Sequence, residues 1–225
     1  MKSEEFIIQN RECFAFFEED PACVIVQPVD KREVEDLWHE AETVFAGAGC
    51  PLLLCFFCVE SWNGDLSPWD APPVFGKEGF GHGAGETLRF ITEDLLPYVT
   101  DRYGGDVPAV LGGYSLAGLF ALWSAYQTDA FKAVAAVSPS VWFPGWMEYA
   151  ADNEVKAGGV YLSLGDKEER TKNKITAAVG DCIRRQYGLL QEADVRCILE
   201  WNEGNHFRDP SGRCAKGLLW CVDLI

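Results

Sequence analysis

Three kinds of side chain in this sequence could do covalent chemistry together: a serine among small residues, a histidine and a carboxylate. The serine is Ser115, in the stretch Gly112-Gly113-Tyr114-Ser115-Leu116-Ala117-Gly118. A hydroxyl is a poor nucleophile until a base removes its proton. Neutral imidazole can do that near pH 7, and a carboxylate behind it fixes the tautomer and steadies the imidazolium. The chain holds three histidines, His39, His82 and His206. His39 sits in the amphipathic run KREVEDLWHE and reads as a solvated helix residue. His82 lies in the glycine-rich GFGHGAG and reads as a loop residue. His206, in WNEGNHFRDP, follows the last apolar run and is the candidate base. The three do not fall at metal-ligand spacing, so no metal site is expected. For the carboxylate, Gly165–Arg170 (GDKEER) offers Asp166, Glu168 and Glu169, and the residues alone leave the choice open.

Apolar runs must position these groups. CVIVQP (Cys23–Pro28), PLLLCFFCV (Pro51–Val59), PAVLGG, AVAAV (Ala133–Val137), GVYLSL (Gly159–Leu164) and VRCILEW (Val195–Trp201) read as strands. Asp30 caps a helix in which Val34, Leu37, Trp38, Ala41, Val44 and Phe45 recur at helical spacing, with Glu33 completing a capping box. Leu88, Ile91, Leu95 and Val99 mark a helix disturbed at Pro97. Another starts at Leu116, a long one carries Ile175 to Leu189, and CAKGLLWCVDLI closes the chain as a helix. A long Gly/Pro/Trp-rich loop spans Ser61 to about Gly85. Strands that are apolar throughout and separated by helices predict a mostly parallel sheet covered on both faces. In such sheets ligands bind beyond the carboxyl ends of the strands. Ser115, the GDKEER loop and His206 all follow strands.

Composition limits the rest. The chain has 225 residues, 48% of them hydrophobic, enough for the expected single domain, residues 1–225. Thirty-five acidic against 19 basic side chains give a net charge of −16. That excess repels phosphate backbones, so no nucleic-acid partner is expected. No apolar run approaches the length of a membrane span, and no membrane association is expected. Nine cysteines without finger spacing read as reduced thiols, which predicts a cytoplasmic protein. Oligomeric state is left open.

The order serine, acid, histidine on an α/β sheet resembles the α/β-hydrolase fold. GGYSLAGLFAL resembles the nucleophile elbow of the branch that includes enterochelin esterases and esterase D-like enzymes. FKAVAAVSPSVWF is similar to that branch's next strand and loop, GDKEERTKN to its acid loop and GNHF to its histidine loop. One departure stands in the G-x-S-x-G pattern, where Ala117 occupies the last glycine position and Gly118 follows. The resemblance implies an α/β-hydrolase fold without a large lid and a serine esterase working through an acyl-enzyme, with no cofactor. It places the acid on Glu168, with Asp166 as second choice, and the oxyanion donors on the amides of Leu116 and Val29 or Asp30. Trp62, Trp69, Tyr114 and Trp142, with Phe143 and Trp146 nearby, are candidates for walls of an acyl or aromatic pocket. The implied substrate is a small or polymer-attached ester. The alternatives are a non-catalytic relative that binds a ligand, and an acyltransferase using the same residues.

Overall fold

A computed structural model describes residues 1–225. Eight strands form one sheet: β1 Lys2–Ile8, β2 Arg11–Phe17, β3 Cys23–Val29, β4 Leu52–Cys58, β5 Ala109–Tyr114, β6 Phe131–Val137, β7 Gly159–Gly165 and β8 Arg196–Asn202. Their order is β1-β2-β4-β3-β5-β6-β7-β8. β1 and β2 pair antiparallel with each other, and β2 antiparallel with β4. Every later pairing is parallel. The helices are α1 Leu37–Gly47, α2 Trp62–Leu66, α3 Ala84–Arg89, α4 Leu96–Tyr103, α5 Leu116–Gln127, α6 Trp146–Asp152, α7 Lys174–Ala177, α8 Val179–Glu192 and α9 Pro210–Val222.

β4 shows why the apolar runs become strands. All seven of its residues are buried. Leu53, Cys55 and Phe57 enter one core, and Leu52, Leu54, Phe56 and Cys58 enter another. That alternation is what a strand with both faces covered requires. Helix α5 packs on one face through Leu119, Phe120 and Leu122, while α1 and α9 cover the other through Ala41, Val44 and Leu218. The mostly parallel α/β sheet is therefore the one expected.

Several details differ from the expectation. β1 and β2 were not anticipated as strands. Asp30 does cap, its side chain accepting from Arg32 N, but the first turn is a 3-10 segment, Lys31–Asp36, and the α-helix begins only at Leu37. The helix expected to be disturbed at Pro97 takes a specific form: a π-helical segment at Phe90–Leu95 joins α3 to α4, and Pro97 lies in the first turn of α4. Proline has no N–H to give to the preceding turn, and the helix widens just before it. The helix expected from Ile175 to Leu189 is divided into α7 and α8, and Ile175 is exposed. No helix is long and apolar enough to cross a membrane.

Candidate active site

Ser115 stands between β5 and α5 with φ 59° and ψ −117°, a conformation costly for any residue with a side chain. The surroundings over-determine it. Ser115 N donates to Val137 O at 3.0 Å, and Ser115 O accepts from Ser140 N and from Leu119 N, each at 3.0 Å. A Cβ on Gly113 would collide with the Ala117 carbonyl, and one on Gly118 would lie 2.9 Å from Val137 O. The close approach of helix to sheet thus falls on Gly118, which explains why Ala117 can occupy the position before it. Leu116 opens α5, so its N–H has no carbonyl one turn behind it.

The acid loop leaves β7, and the histidine loop leaves its parallel neighbour β8. Gly165 and Asn202, the last residues of the two strands, lie opposite each other. Backbone bonds then stitch the loops: Asp166 N donates to Asn202 O at 2.8 Å, and Lys167 N to Gly204 O at 3.1 Å. Asp166 Oδ1 accepts from Gly204 N at 2.7 Å. The turn closes by Glu168 N donating to Gly165 O at 3.1 Å. That turn faces Glu168 inward, while Asp166 is exposed and Glu169 reaches outward to Arg184.

Glu168, His206 and Ser115 form one line. Glu168 Oε2 lies 2.7 Å from His206 Nδ1, and His206 Nε2 lies 3.0 Å from Ser115 Oγ. The other carboxylate oxygen of Glu168, Oε1, accepts from Gly165 N at 2.7 Å, Ser138 Oγ at 2.8 Å and Arg213 Nη1 at 3.1 Å. Burial alone would push the Glu168 carboxyl up. The bonds from His206, Gly165 and Ser138 outweigh it and hold the group below the usual carboxylate range. Tyr114 donates its hydroxyl to His206 O at 2.6 Å, fixing the histidine backbone.

Neither other histidine is near. His39 is exposed on α1, and His82 is an exposed partner of Asp70 at 3.1 Å. No group of three His, Cys, Asp or Glu side chains converges as metal ligands would.

The pocket candidates separate. Trp142 lines a cavity of about 410 Å³ at Ser115. Trp62 and Tyr114 line a second, of about 280 Å³, on the side of Val29 and Asp30. Trp69 corrects the expectation. It borders neither cavity, donates Nε1–H to Pro144 O at 2.8 Å, and packs against Phe143, Trp146 and Tyr149. Phe143 and Trp146 are themselves core. Val29 is the buried last residue of β3, and its carbonyl accepts from Val59 N.

Arg213 escaped the sequence reading. The signal for Arg213 was present: a charged residue beside Cys214, Ala215, Gly217 and Leu218, all on buried positions of α9. A charge there needs a partner.

The family described as Putative esterase matches residues 59–197, ending before His206. No curated protein matches the sequence. Among solved structures, a siderophore hydrolase EstA from Aspergillus nidulans superposes with TM-score 0.74 at 18% identity, covering 99% of this chain and 94% of that one. An IroE-like serine hydrolase from Shewanella oneidensis gives TM-score 0.78 at 17% identity, over 98% of this chain and 78% of the other. The enterobactin esterase FES from Shigella flexneri gives 0.69 at 16%, over 100% and 59%. At such identities the likeness is one of fold.

Proposed function

Because the chain belongs to the Putative esterase family of α/β-hydrolases, an ester-hydrolysing group, we propose that Ser115, His206 and Glu168 are its catalytic triad. The observation that carries this reading is the unbroken line from Glu168 Oε2 through the His206 ring to Ser115 Oγ, at 2.7 and 3.0 Å. His206 Nε2 takes the Ser115 proton as Oγ attacks the ester carbonyl carbon. Glu168 holds Nδ1–H and stabilises the imidazolium. Charge develops on the former carbonyl oxygen, which the Leu116 N–H and the positive end of α5 meet. A second amide comes from the Val29–Asp30 turn, which borders the same cavity. Collapse returns the proton to the departing alcohol. Water, activated by the same histidine, then releases the acid and regenerates Ser115.

The substrate in this reading is a small or polymer-attached carboxylic ester reached through an open cleft. The nine cysteines form no disulfide, which supports a reducing compartment, and we place the protein in the cytoplasm on that ground. A panel of esters varying in acyl length and leaving group, assayed with wild type and Ser115→Ala, tests the assignment. Wild type turns over at least one class, and the variant none. An organophosphonate adduct found by mass spectrometry on any residue but Ser115 would remove it from the mechanism.

A further inference from the structure

Two cavities of opposite charge meet at Ser115. Ser115, His206 and Phe207 border both. The larger also carries Lys167 and Arg170. Of the carboxylates next to these cations in the chain, Glu168 is paired with His206 and Arg213, Glu169 with Arg184, and Asp166 accepts from Gly204 N and does not border the cavity. The smaller cavity is bordered by Asp30, Glu33, Asp36 and Glu40 against one cation, Arg32. Arg32 is already spent on Asp30, donating from Nε at 2.9 Å and from Nη2 at 2.6 Å. Arg32 also attracts Glu33 at longer range, but no salt bridge reaches Glu33, Asp36 or Glu40, three carboxylates against one cation around one space.

Glu40 makes this more than a solvated acidic rim. It is 5% exposed, yet it borders the cavity. Gln27 Nε2 donates to its Oε1 at 2.8 Å, and its second oxygen has no hydrogen-bond partner. Burial pushes this carboxyl up to about 8, so near neutral pH it keeps a proton that an incoming cation could displace. Trp62 also borders this cavity, and an indole is a side chain that can receive a cation.

We propose that the smaller cavity is a subsite for a cationic group, a primary or quaternary ammonium, carried by the ester on one side of the scissile bond. The proposal rests on the serine-hydrolase reading of Ser115. Lys167 and Arg170 repel the same cation from the larger cavity, so the two cavities together fix which way round the substrate lies.

Two ester pairs test it, each differing only in nitrogen against carbon. One pair carries the difference in the alcohol, a choline ester against its 3,3-dimethylbutyl isostere. The other carries it in the acyl group, a trimethylglycine ester against its 3,3-dimethylbutanoyl counterpart. At low ionic strength kcat/KM, divided by each ester's own hydroxide-catalysed hydrolysis rate so that the electron-withdrawing ammonium is not mistaken for binding, should favour the cation by about tenfold or more in one pair, and which pair responds tells which side enters the subsite. The preference should shrink with salt and fall in Glu33→Gln and in Glu40→Gln; Glu33 is exposed, so its substitution does not threaten the fold. A ratio near one in both pairs, or a preference that survives both substitutions, overturns the subsite. Failure of the hydrolase reading shows differently, as no cleavage of the uncharged esters or equal cleavage by Ser115→Ala. In that event calorimetry of choline against 3,3-dimethylbutanol with Ser115→Ala decides: tighter choline binding upholds the subsite and equal binding overturns it.

Discussion

Arg213 and Glu168 form a buried ion pair, Nη1 to Oε1 at 3.1 Å, with both side chains almost fully enclosed. The guanidinium also donates from Nη2 to Glu203 O at 3.0 Å and to Asn205 O at 3.1 Å, so it ties the acid to the loop that carries His206. Arg213→Met leaves a buried carboxylate without its counter-charge, which costs about 3–5 kcal/mol of stability. Loss of a positive charge also raises the affinity of the Glu168–His206 pair for a proton. The acid limb of the kcat/KM profile should therefore move to higher pH in Arg213→Met and partly return in Arg213→Lys. A limb that stays at its wild-type position would reduce Arg213 to a loop tie.

Glu168→Gln should lower kcat by up to ~10⁴-fold, because the imidazole loses the partner that fixes its tautomer. Asp166→Asn should cost far less, since Asp166 accepts from Gly204 N and does not touch the ring. Steady-state kinetics on the two purified variants separates these outcomes, and comparable losses in both would reopen the choice of acid.

The elbow predicts an asymmetry among its small residues. Gly113→Ala drives a methyl into the Ala117 carbonyl, a backbone atom that cannot step aside, and Gly118→Ala crowds Val137 O and Gly113 O. Both should unfold at clearly lower temperature than wild type. Ala117→Gly removes a methyl from a fully buried position and should cost only about 1.5 kcal/mol, from helix propensity and the lost burial. Calorimetric melting of the three variants gives the ranking. A Gly113→Ala protein as stable as wild type would contradict the packing described.

Glu40 should impress a pH dependence on stability. Its folded-state value is raised to about 8 by burial, well above the ~4.3 of an unfolded glutamate. Its contribution is therefore fully present below the unfolded value and is lost as pH rises through the folded one. Glu40→Gln removes that loss. Urea midpoints of wild type and variant should converge near pH 5 and separate progressively toward pH 8 in favour of the variant. Parallel curves across that range would mean that Glu40 is charged in the fold.

The central strands were legible because both of their faces are buried, which leaves runs such as Leu52–Cys58 without a polar residue. β1 was not, because it lies at the sheet edge and its residue types do not alternate: Glu4, Phe6 and Ile8 share the half-buried face, while Glu5 and Ile7 are exposed. The turn itself is Gln9 and Asn10, both at positive φ, a two-residue connection between the paired strands. Ser115 was legible from the small residues around it, and His206 from the scarcity of histidines. The acid stayed ambiguous because three carboxylates fall within four residues, and the Gly165–Glu168 turn that sorts them depends on bonds to the neighbouring strand's loop. Arg213 stands out as a charge on a buried helix face, but its partners were hidden for a similar reason, since they come from four other segments of chain.

The pairing of Gly165 with Asn202 has a mechanical meaning. Acid and base depart from adjacent strands at the same level, and the sheet holds those strands together through seven matched pairs. When the sheet twists or breathes, both loops ride on the same motion, so the displacement is common to them and drops out of their separation. Only what happens within the two short loops can change the distance between Glu168 and His206. A carboxylate and an imidazole carried by unconnected loops would instead feel the difference of two independent fluctuations. Here the sheet acts as a vibration-cancelling mount.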